Sequence, residues 1–403
     1  MATHQEENDV IIIGGGMSGL VLAQGLKHRN VPFKLFERDP AVSTKGYRFR
    51  LVDDGVDALE KTLPPAVWAL LEQTHPESKP PNFLIVDAQS GKQTKYLPSP
   101  QKRSYPIDRP WIQQLLHLGI EEKVQFGKIF ERYELLPSGK VRVHFQDNTT
   151  ATGRILVAAD GVRSSVRKQM LPHVKLLNLD RMIMWGRTPL SAEFEKQFGH
   201  PDVLSEHFST MIDYQDPRRS CLFAPIRWPL QGQLSQAAPS LTDQPDYVFW
   251  ALCFETPPPS VSLATLDDRK AYALQIASNW DRGFRKIFEL QSSSSSIPVH
   301  SNTPDVPVWP SDDRITFMGD AIHTMSPTGG AGGLMATLDA AQLCDVLSGS
   351  WNGEVGEWAG LKEVLAKYEQ DMRERAGPAI AVAFANAKML WAGEDWQFYS
   401  PAN

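Results

Sequence analysis

Gly14-Gly15-Gly16-Met17-Ser18-Gly19 fits the pattern G-x-G-x-x-G, with glycines at 14, 16 and 19. Ahead of it, Val10-Ile11-Ile12-Ile13 is a continuous β-branched run that reads as a buried parallel strand. Behind it, Leu20 to His28 reads as a helix. In that setting each glycine has a task. The first allows the tight turn, the second lets the backbone approach a pyrophosphate, and the third lets helix and strand pack closely. The helix N-terminus adds free N–H groups and the positive end of a dipole. Glu37 closes the next strand, Phe33-Lys34-Leu35-Phe36. A carboxylate there accepts hydrogen bonds from both hydroxyls of an adenosine ribose and repels a 2′-phosphate, so NADP fits this cradle poorly. FAD and NAD both fit it.

Two further strand–turn–helix passages carry polar residues. Asp160-Gly161-Val162-Arg163-Ser164-Ser165-Val166-Arg167 follows the buried run Ile155-Leu156-Val157-Ala158-Ala159. Asp then Gly makes a turn, and the Ser/Arg stretch opens a helix. Arg163 and Arg167 lie one helical turn apart, which suits either phosphate contacts or a solvated basic face. Gly319-Asp320-Ala321-Ile322-His323 follows Arg314-Ile315-Thr316-Phe317-Met318 and leads through Pro327-Thr328-Gly329-Gly330-Ala331-Gly332-Gly333 to a helix from Leu334. Asp320 is placed to hold a ribitol or ribose hydroxyl. His323 reads as a hydrogen-bonded structural histidine rather than an acid/base residue.

These residues need a large α/β frame to hold them. The chain has 403 residues, of which 42% are hydrophobic and 22% charged, values that exclude bulk disorder. Lys+Arg is 41 and Asp+Glu is 47, a net charge of −6, which argues against a nucleic-acid binder. Three scattered cysteines, Cys221, Cys253 and Cys344, form no CxxC, so neither a disulfide scaffold nor a metal site is expected. The polar stretch Met1 to Asp9 is not secretory in character, and the glycines within 10–26 make a poor membrane span, so the expected home is the cytoplasm. Asp57 to Gln73 has helical spacing, Pro110 to Glu122 reads as a helix, and Val141 to Phe145 alternates as a strand. The run Ser292 to Ser296, followed by Pro298, reads as a surface loop.

In their order, G-x-G-x-x-G near 14, Asp-Gly near 160 and Gly-Asp near 319, these three motifs resemble the single-component (class A) FAD-dependent monooxygenases of the para-hydroxybenzoate hydroxylase type, over about residues 8 to 345. The texture of Gly46 to Leu51 and of Ala321 to Pro327 is most similar to members from fungal secondary metabolism. The resemblance implies an α/β protein: a Rossmann-like (GR2-type) FAD-binding domain formed by 8–76, 103–180 and 301–345, an inserted mixed β-sheet substrate domain formed by 77–102 and 181–300, and C-terminal helices over 346–403. It implies that Gly14, Gly16, Ser18 and Gly19 hold the FAD pyrophosphate and Glu37 the adenosine ribose, with Arg38 beside it. Arg48 or Arg50 would touch the cofactor, Arg109 would reach the flavin, and Asp160 would serve FAD and NAD(P)H. Asp320 would bind ribityl hydroxyls, with Pro327, Gly330, Gly332, Gly333 and Leu334 along the isoalloxazine edge. Two positions depart from the family: Ala158 stands where Gly is usual, and Leu334 where Asn is usual. Leu cannot donate a hydrogen bond from its side chain, which leaves the backbone N–H to serve.

The implied chemistry consumes NADPH or NADH and O₂. Reduced flavin forms a C4a-hydroperoxide that hydroxylates or epoxidises an electron-rich aromatic or indole-type molecule. An oxidase or reductase without oxygen insertion is the alternative. The insert is rich in aromatic residues, among them Trp185, Phe208, Tyr214, Phe223, Trp228, Tyr247, Phe249, Trp250 and Phe254. Alternation puts about half of those in strands on one face, where they build either an ordinary core or a wall for a flat substrate. Arg187 is the candidate catalytic residue, pairing with a phenolate; its other reading is a surface or domain-interface salt bridge. No assembly signal is visible.

Overall fold

The computed structural model describes residues 8–43, 46–77, 82–205, 208–230, 232–354 and 358–402. Part of the N-terminal polar stretch, and residues 78–81 of the segment assigned to the substrate domain, lie outside the described residues.

The β-branched run forms the strand Asn8–Ile13, whose apolar residues are almost wholly buried. It pairs in parallel with Phe33–Phe36 on one side and Thr150–Ala158 on the other. Val124–Gln125 adds a parallel strand beyond 33–36. The long 150–158 strand has two partners on its outer edge: Ile315–Phe317 pairs in parallel with its C-terminal half, and Val141–Phe145 antiparallel with its N-terminal half. Phe130–Leu135 closes that edge. The parallel strands therefore end together, and the turns carrying Gly14, Glu37, Asp160 and Gly319 leave the sheet at one edge, the edge where open α/β sheets bind ligands.

Two helices cover the sheet beside that edge. Met17–His28 packs on Gly332–Ser350 at Gly25, where an added Cβ would come within 2.5 Å of Cys344 Sγ. Helical spacing over 57–73 resolves into Asp53–Thr62 and Pro65–Thr74, because Pro64-Pro65 cannot continue the first helix. The 110–122 reading shortens to Arg109–His117 with a 3₁₀ turn at Glu121–Lys123.

A second sheet of seven strands runs in the order Ser293–Ser301, Leu177–Pro189, Tyr247–Glu255, Ser220–Ile226, Ser209–Ile212, Phe83–Asp87, Gln93–Leu97. Its one parallel pair joins 209–212 to 83–87, so two strands from before residue 100 complete the sheet. The serine run is a strand, not a loop: Ser293 to Ile297 pair with Arg187 to Ile183 along the sheet's edge. Main-chain bonds make this edge strand, and its small hydroxyl side chains are exposed or half-buried, so no apolar alternation marks it.

Alternation sorts the aromatic residues of the second sheet. Phe223, Trp250 and Phe254 face a core built with the helices Ala192–Phe198, Leu266–Ile276 and Arg282–Glu289, where Trp250 and Phe288 meet edge to face at 5.0 Å. Trp185, Tyr247 and Phe249 point the other way and pack against the first domain. A two-stranded ribbon, Arg48–Val52 with Ser104–Asp108, lies at that junction. The long helix Leu361–Trp391 closes the far end, with Trp391 buried and Trp396 and Tyr399 packed back beside it. No helix among the described residues is long and apolar enough to cross a membrane.

Candidate active site

At the glycine turn the sequence is set by close approach. A Cβ at Gly14 would overlap the Ala159 carbonyl, and one at Gly19 would overlap the Gly14 carbonyl. Gly14 also has φ +110°, a backbone state that a side chain rarely tolerates. Gly16 is different: a Cβ there would meet nothing within 4 Å. Its backbone fronts open space, as a pyrophosphate requires. The first hydrogen bond of the 17–28 helix runs from Leu20 N–H to the Gly16 carbonyl, and no side chain caps the helix. The N–H groups of Met17, Ser18 and Gly19 are therefore left ahead of the helical ladder. Ser18 is buried against the Gly319 turn, where a Cβ would lie 3.2 Å from its Oγ.

Glu37 is tied to this cradle. Gly15 N–H donates to its Oε2 at 2.5 Å, and Asp39 N–H donates to Oε1 at 2.9 Å. Each oxygen keeps one further acceptor site, enough for two ribose hydroxyls. Arg38 is exposed beside it.

The Asp160 turn and the Gly319 turn are joined by one side chain. Arg167 is buried and donates to the Ala321 carbonyl at 2.6 Å and the Val162 carbonyl at 2.9 Å. It takes neither the phosphate role nor the solvated face; Arg163 alone is exposed. Asp160 Oδ2 accepts from Ser165 and Val166 N–H, but its Oδ1 is buried without a partner. Burial raises its pKa. An orphaned carboxylate oxygen at a ligand edge is what a bound hydroxyl or N–H donor would satisfy.

Asp320 opens the short helix Asp320–His323. Burial raises its pKa, while His323, Arg109 and Arg167 act electrostatically to lower it. His323 is a structural residue: its Nε2 lies 2.5 Å from Asp339 Oδ2, and both side chains are buried. Asp339 also accepts from Gly319 N–H at 2.9 Å and from Arg375 at 3.1 Å. This set ties the Gly319 turn to the 332–350 and 361–391 helices.

The loop ahead of the 332–350 helix repeats the pattern of the first cradle. Pro327–Gly329 makes a 3₁₀ turn, and Gly330 follows at φ +63° with nothing near an added Cβ. The first helical bond is donated by Met335 N–H to Ala331, leaving the N–H groups of Gly332, Gly333 and Leu334 ahead of it. A Cβ on Gly333 would overlap the Phe49 ring, and Leu334 packs towards Gly55. Leu334 thus offers only its backbone to this edge. Arg109 begins the 109–117 helix, with its guanidinium 4.6 Å over the Tyr47 ring.

Arg48, expected with Arg50 as an alternative cofactor contact, and Arg187, expected either as a catalytic residue or in a salt bridge, both lie at the junction with the second sheet. Phe49 turns towards Gly333, so Arg48 and Arg50, one residue either side, turn to the opposite face of their strand. There both guanidinium groups lie over the ring of Phe208, at 5.5 and 5.1 Å. Arg48 therefore faces the second sheet, not the phosphate cradle. Burial lowers its pKa to about 10, and burial with repulsion from Arg48 lowers that of Arg50 to about 8. Arg187 donates to Asp108 Oδ2 at 2.6 Å and stacks 4.5 Å over Tyr247. Tyr247 O–H donates to the same oxygen at 2.5 Å, and Asp108 Oδ1 caps the 109–117 helix at Trp111 N–H. Of Arg187's two readings, the interface salt bridge is the one present. Asp108, Tyr247 and Asp339 are positioning residues that the motifs did not mark, and of these only Asp108, a capping residue two before Pro110, carried a local signal; Arg167 was marked, but for phosphate contacts or a solvated face.

The glycine cradle, the orphaned Asp160 oxygen and the two uncapped helix starts fit FAD. Residues 292–383 match the FAD binding domain, and residues 12–74 match the NAD(P)-binding Rossmann-like domain. The chain is 30% identical to the dual O-methyltransferase/FAD-dependent monooxygenase elcB of Phaeosphaeria nodorum, over 95% of this chain and 46% of that protein. It thus spans just under half the length of that relative. It is 27% identical to the FAD-dependent monooxygenase thnD of Trichoderma harzianum, over 93% of this chain and 91% of that one. Its fold matches that of Klebsiella pneumoniae HpxO complexed with FAD and uric acid, with a TM-score of 0.74 and 20% identity over 98% of this chain and 91% of that chain.

Proposed function

We propose, from the premise that the chain belongs to the class A FAD-dependent monooxygenase family, that it uses NADPH or NADH and O₂ to hydroxylate or epoxidise an electron-rich aromatic or indole-type small molecule. The observation that carries this reading is a juxtaposition. Three strand–turn–helix passages meet at one sheet edge, and the aromatic face of the second sheet packs against the same domain.

FAD held there would supply the hydride acceptor for the nicotinamide and the means of activating O₂. The protein's share is placement. Gly14, Gly16 and Gly19, with the free N–H groups of the 17–28 helix, receive the pyrophosphate; Glu37 receives the adenosine ribose; Asp320 receives ribityl hydroxyls. Asp160 offers its unpaired oxygen to FAD or the nicotinamide nucleotide. The N–H groups of Gly332, Gly333 and Leu334 would offer positive dipole to the flavin, the role a side-chain amide would otherwise share. Trp185 and Phe249 form the apolar wall against which a flat substrate lies, and they exclude water from it. Arg109, over Tyr47 and within electrostatic reach of Asp320, balances charge beside the flavin.

The test is isotopic. The flavin-loaded protein is given NADPH and ¹⁸O₂ with a panel of phenols, naphthols and indoles, and products are analysed by mass. One ¹⁸O atom in a product formed at the expense of NADPH is the expected result. Substrate oxidation without ¹⁸O across the panel refutes it in favour of oxidase or reductase chemistry.

A further inference from the structure

The second half of the 361–391 helix is apolar on every side. From Ala376 to Trp391 only Asn386 and Lys388 are polar. A helix stretch of that composition belongs in an interior, yet this one is covered on one side alone. Its inner face holds the turn ahead of the 332–350 helix. Thr328 Oγ1 donates to the Ala383 carbonyl at 2.6 Å, Asn386 Nδ2 donates to the Thr328 carbonyl at 3.2 Å, and Ala383 lies against Gly329. The outer face, Pro378, Ala381, Val382, Ala385 and Met389, is exposed, Val382 by 53% and Met389 by 47%. One turn upstream the same side of the helix carries Lys367, Gln370 and Glu374, as a face meant for water does.

The groups around this face are placed for a second copy of it. Glu374, Ala381 and Lys388 are spaced by seven, two turns each way, so they lie along one line of the helix. A two-fold axis through Ala381 sets two such helices antiparallel and brings Glu374 of each onto Lys388 of the other. Both side chains are exposed, and Lys388, 2.6 Å from Asp395, keeps donors for another carboxylate. The same rotation exchanges the two ends of the stretch, and each end has an exposed apolar side chain beside it. Val308, 75% exposed, lies in the segment whose Trp309 ring sits under Arg373 and whose Pro304 carbonyl abuts Gly377. Phe398, 74% exposed, lies in the turn that Asp395 ties to Lys388. The Val308 segment of one copy thus falls beside the Phe398 turn of the other. Ala381 and Ala385 let the helices approach closely, where a face laid on lipid would carry larger apolar side chains.

We propose that the outer face of residues 374–389 is the interface of a homodimer, with the two helices antiparallel about Ala381. Val382 and Met389 supply its apolar core, and Glu374 with Lys388 fixes the register at both ends. A contact of this kind uses the same patch on both copies and closes at two. It is independent of the chemistry at the flavin site.

The test is sedimentation velocity of the full-length, FAD-loaded chain from nanomolar to high micromolar concentration. A reversible species of twice the chain mass is expected. V382D should abolish it while FAD content and thermal midpoint stay those of the parent, because Val382 is on the surface. E374K should weaken the dimer about tenfold, since both ends turn repulsive, and E374K/K388E should restore it. The axis itself is read by cysteine: under mild oxidation A381C should form an intermolecular disulfide and A385C should not. A chain monomeric at every concentration, a dimer that survives V382D, a charge swap that restores nothing, or a disulfide at 385 would each overturn the proposal. A monomer that pellets with phosphatidylcholine–phosphatidylserine vesicles, and ceases to as V382D, would overturn it in favour of a lipid surface.

Discussion

Removing Arg187 is the perturbation that most directly separates structure from chemistry at this site. Its side chain is 17% exposed and that of its partner Asp108 is fully buried, with 2.6 Å between them. In R187M the Asp108 carboxylate keeps the Tyr247 hydroxyl and the Trp111 N–H but loses its only paired charge among the described residues. Breaking a buried pair from one side costs about 3–5 kcal/mol, and the partial exposure of Arg187 puts the expectation at the lower end, about 3 kcal/mol. D108N keeps the shape and most of the hydrogen bonds, so about 2 kcal/mol is expected for it. The double variant R187M/D108N removes both halves of the pair, so the two losses should not add: a coupling of about 2 kcal/mol is expected for residues in contact. The assay is urea unfolding of the four proteins by circular dichroism at one saturating FAD concentration, since bound cofactor shifts apparent stability. Full stability in R187M with a coupling near zero would refute the salt-bridge account. If such a protein also lost product formation, Arg187 would belong to the substrate after all.

Gly19→Ala should lower FAD content at least about tenfold by flavin absorbance, because its Cβ overlaps the Gly14 carbonyl. Helix propensity alone would make the same change favourable by about 1 kcal/mol, so a well-flavinated variant would discredit the close-approach argument. Asp320→Ala should weaken FAD by about 1.5–3 kcal/mol, the worth of hydrogen bonds to a charged acceptor, and an unchanged dissociation constant would remove Asp320 from the site. For His323, burial lowers the pKa but the Asp339 charge and hydrogen bond, with Asp320, outweigh it, so the folded value is raised. Its contribution is therefore fully present below about pH 6.5 and is lost as pH rises through the folded value. His323→Gln should flatten the fall in thermal midpoint as pH rises above about 6.5; a fall as steep as the parent's would assign it to other groups.

What the sequence made legible was local. Each glycine of the first turn answers a neighbour within a few residues or on the adjoining strand, so type and spacing suffice. Arg187 was not decidable in that way, because its partner Asp108 arrives from another strand through the domain junction. Arg48 was open for a related reason. Alternation says that it opposes Phe49, but which face meets the start of the 332–350 helix is seen only once Gly333 lies against Phe49. The serine strand was missed because main-chain pairing at a sheet edge leaves no hydropathy signature. Asp339, which organises the Gly319 turn, sits in a helix whose sequence reads as ordinary apolar packing.

The Arg167 bond to the Ala321 carbonyl has a bearing on how the molecule is made. It joins two passages separated by most of a sheet domain, and the 315–317 strand that brings Ala321 into place adds to an edge of 150–158 that must wait for it. Contacts of such sequence separation carry a large loop-closure cost and form late. During synthesis the first 180 residues can pair their strands while the edge beside Leu156 to Ala158 stays open to solvent. The inserted sheet then has time to fold as its own unit. The edge that gathers the Gly14, Asp160 and Gly319 turns is complete only once residues 315–321 have arrived, an order of assembly written into the chain's topology.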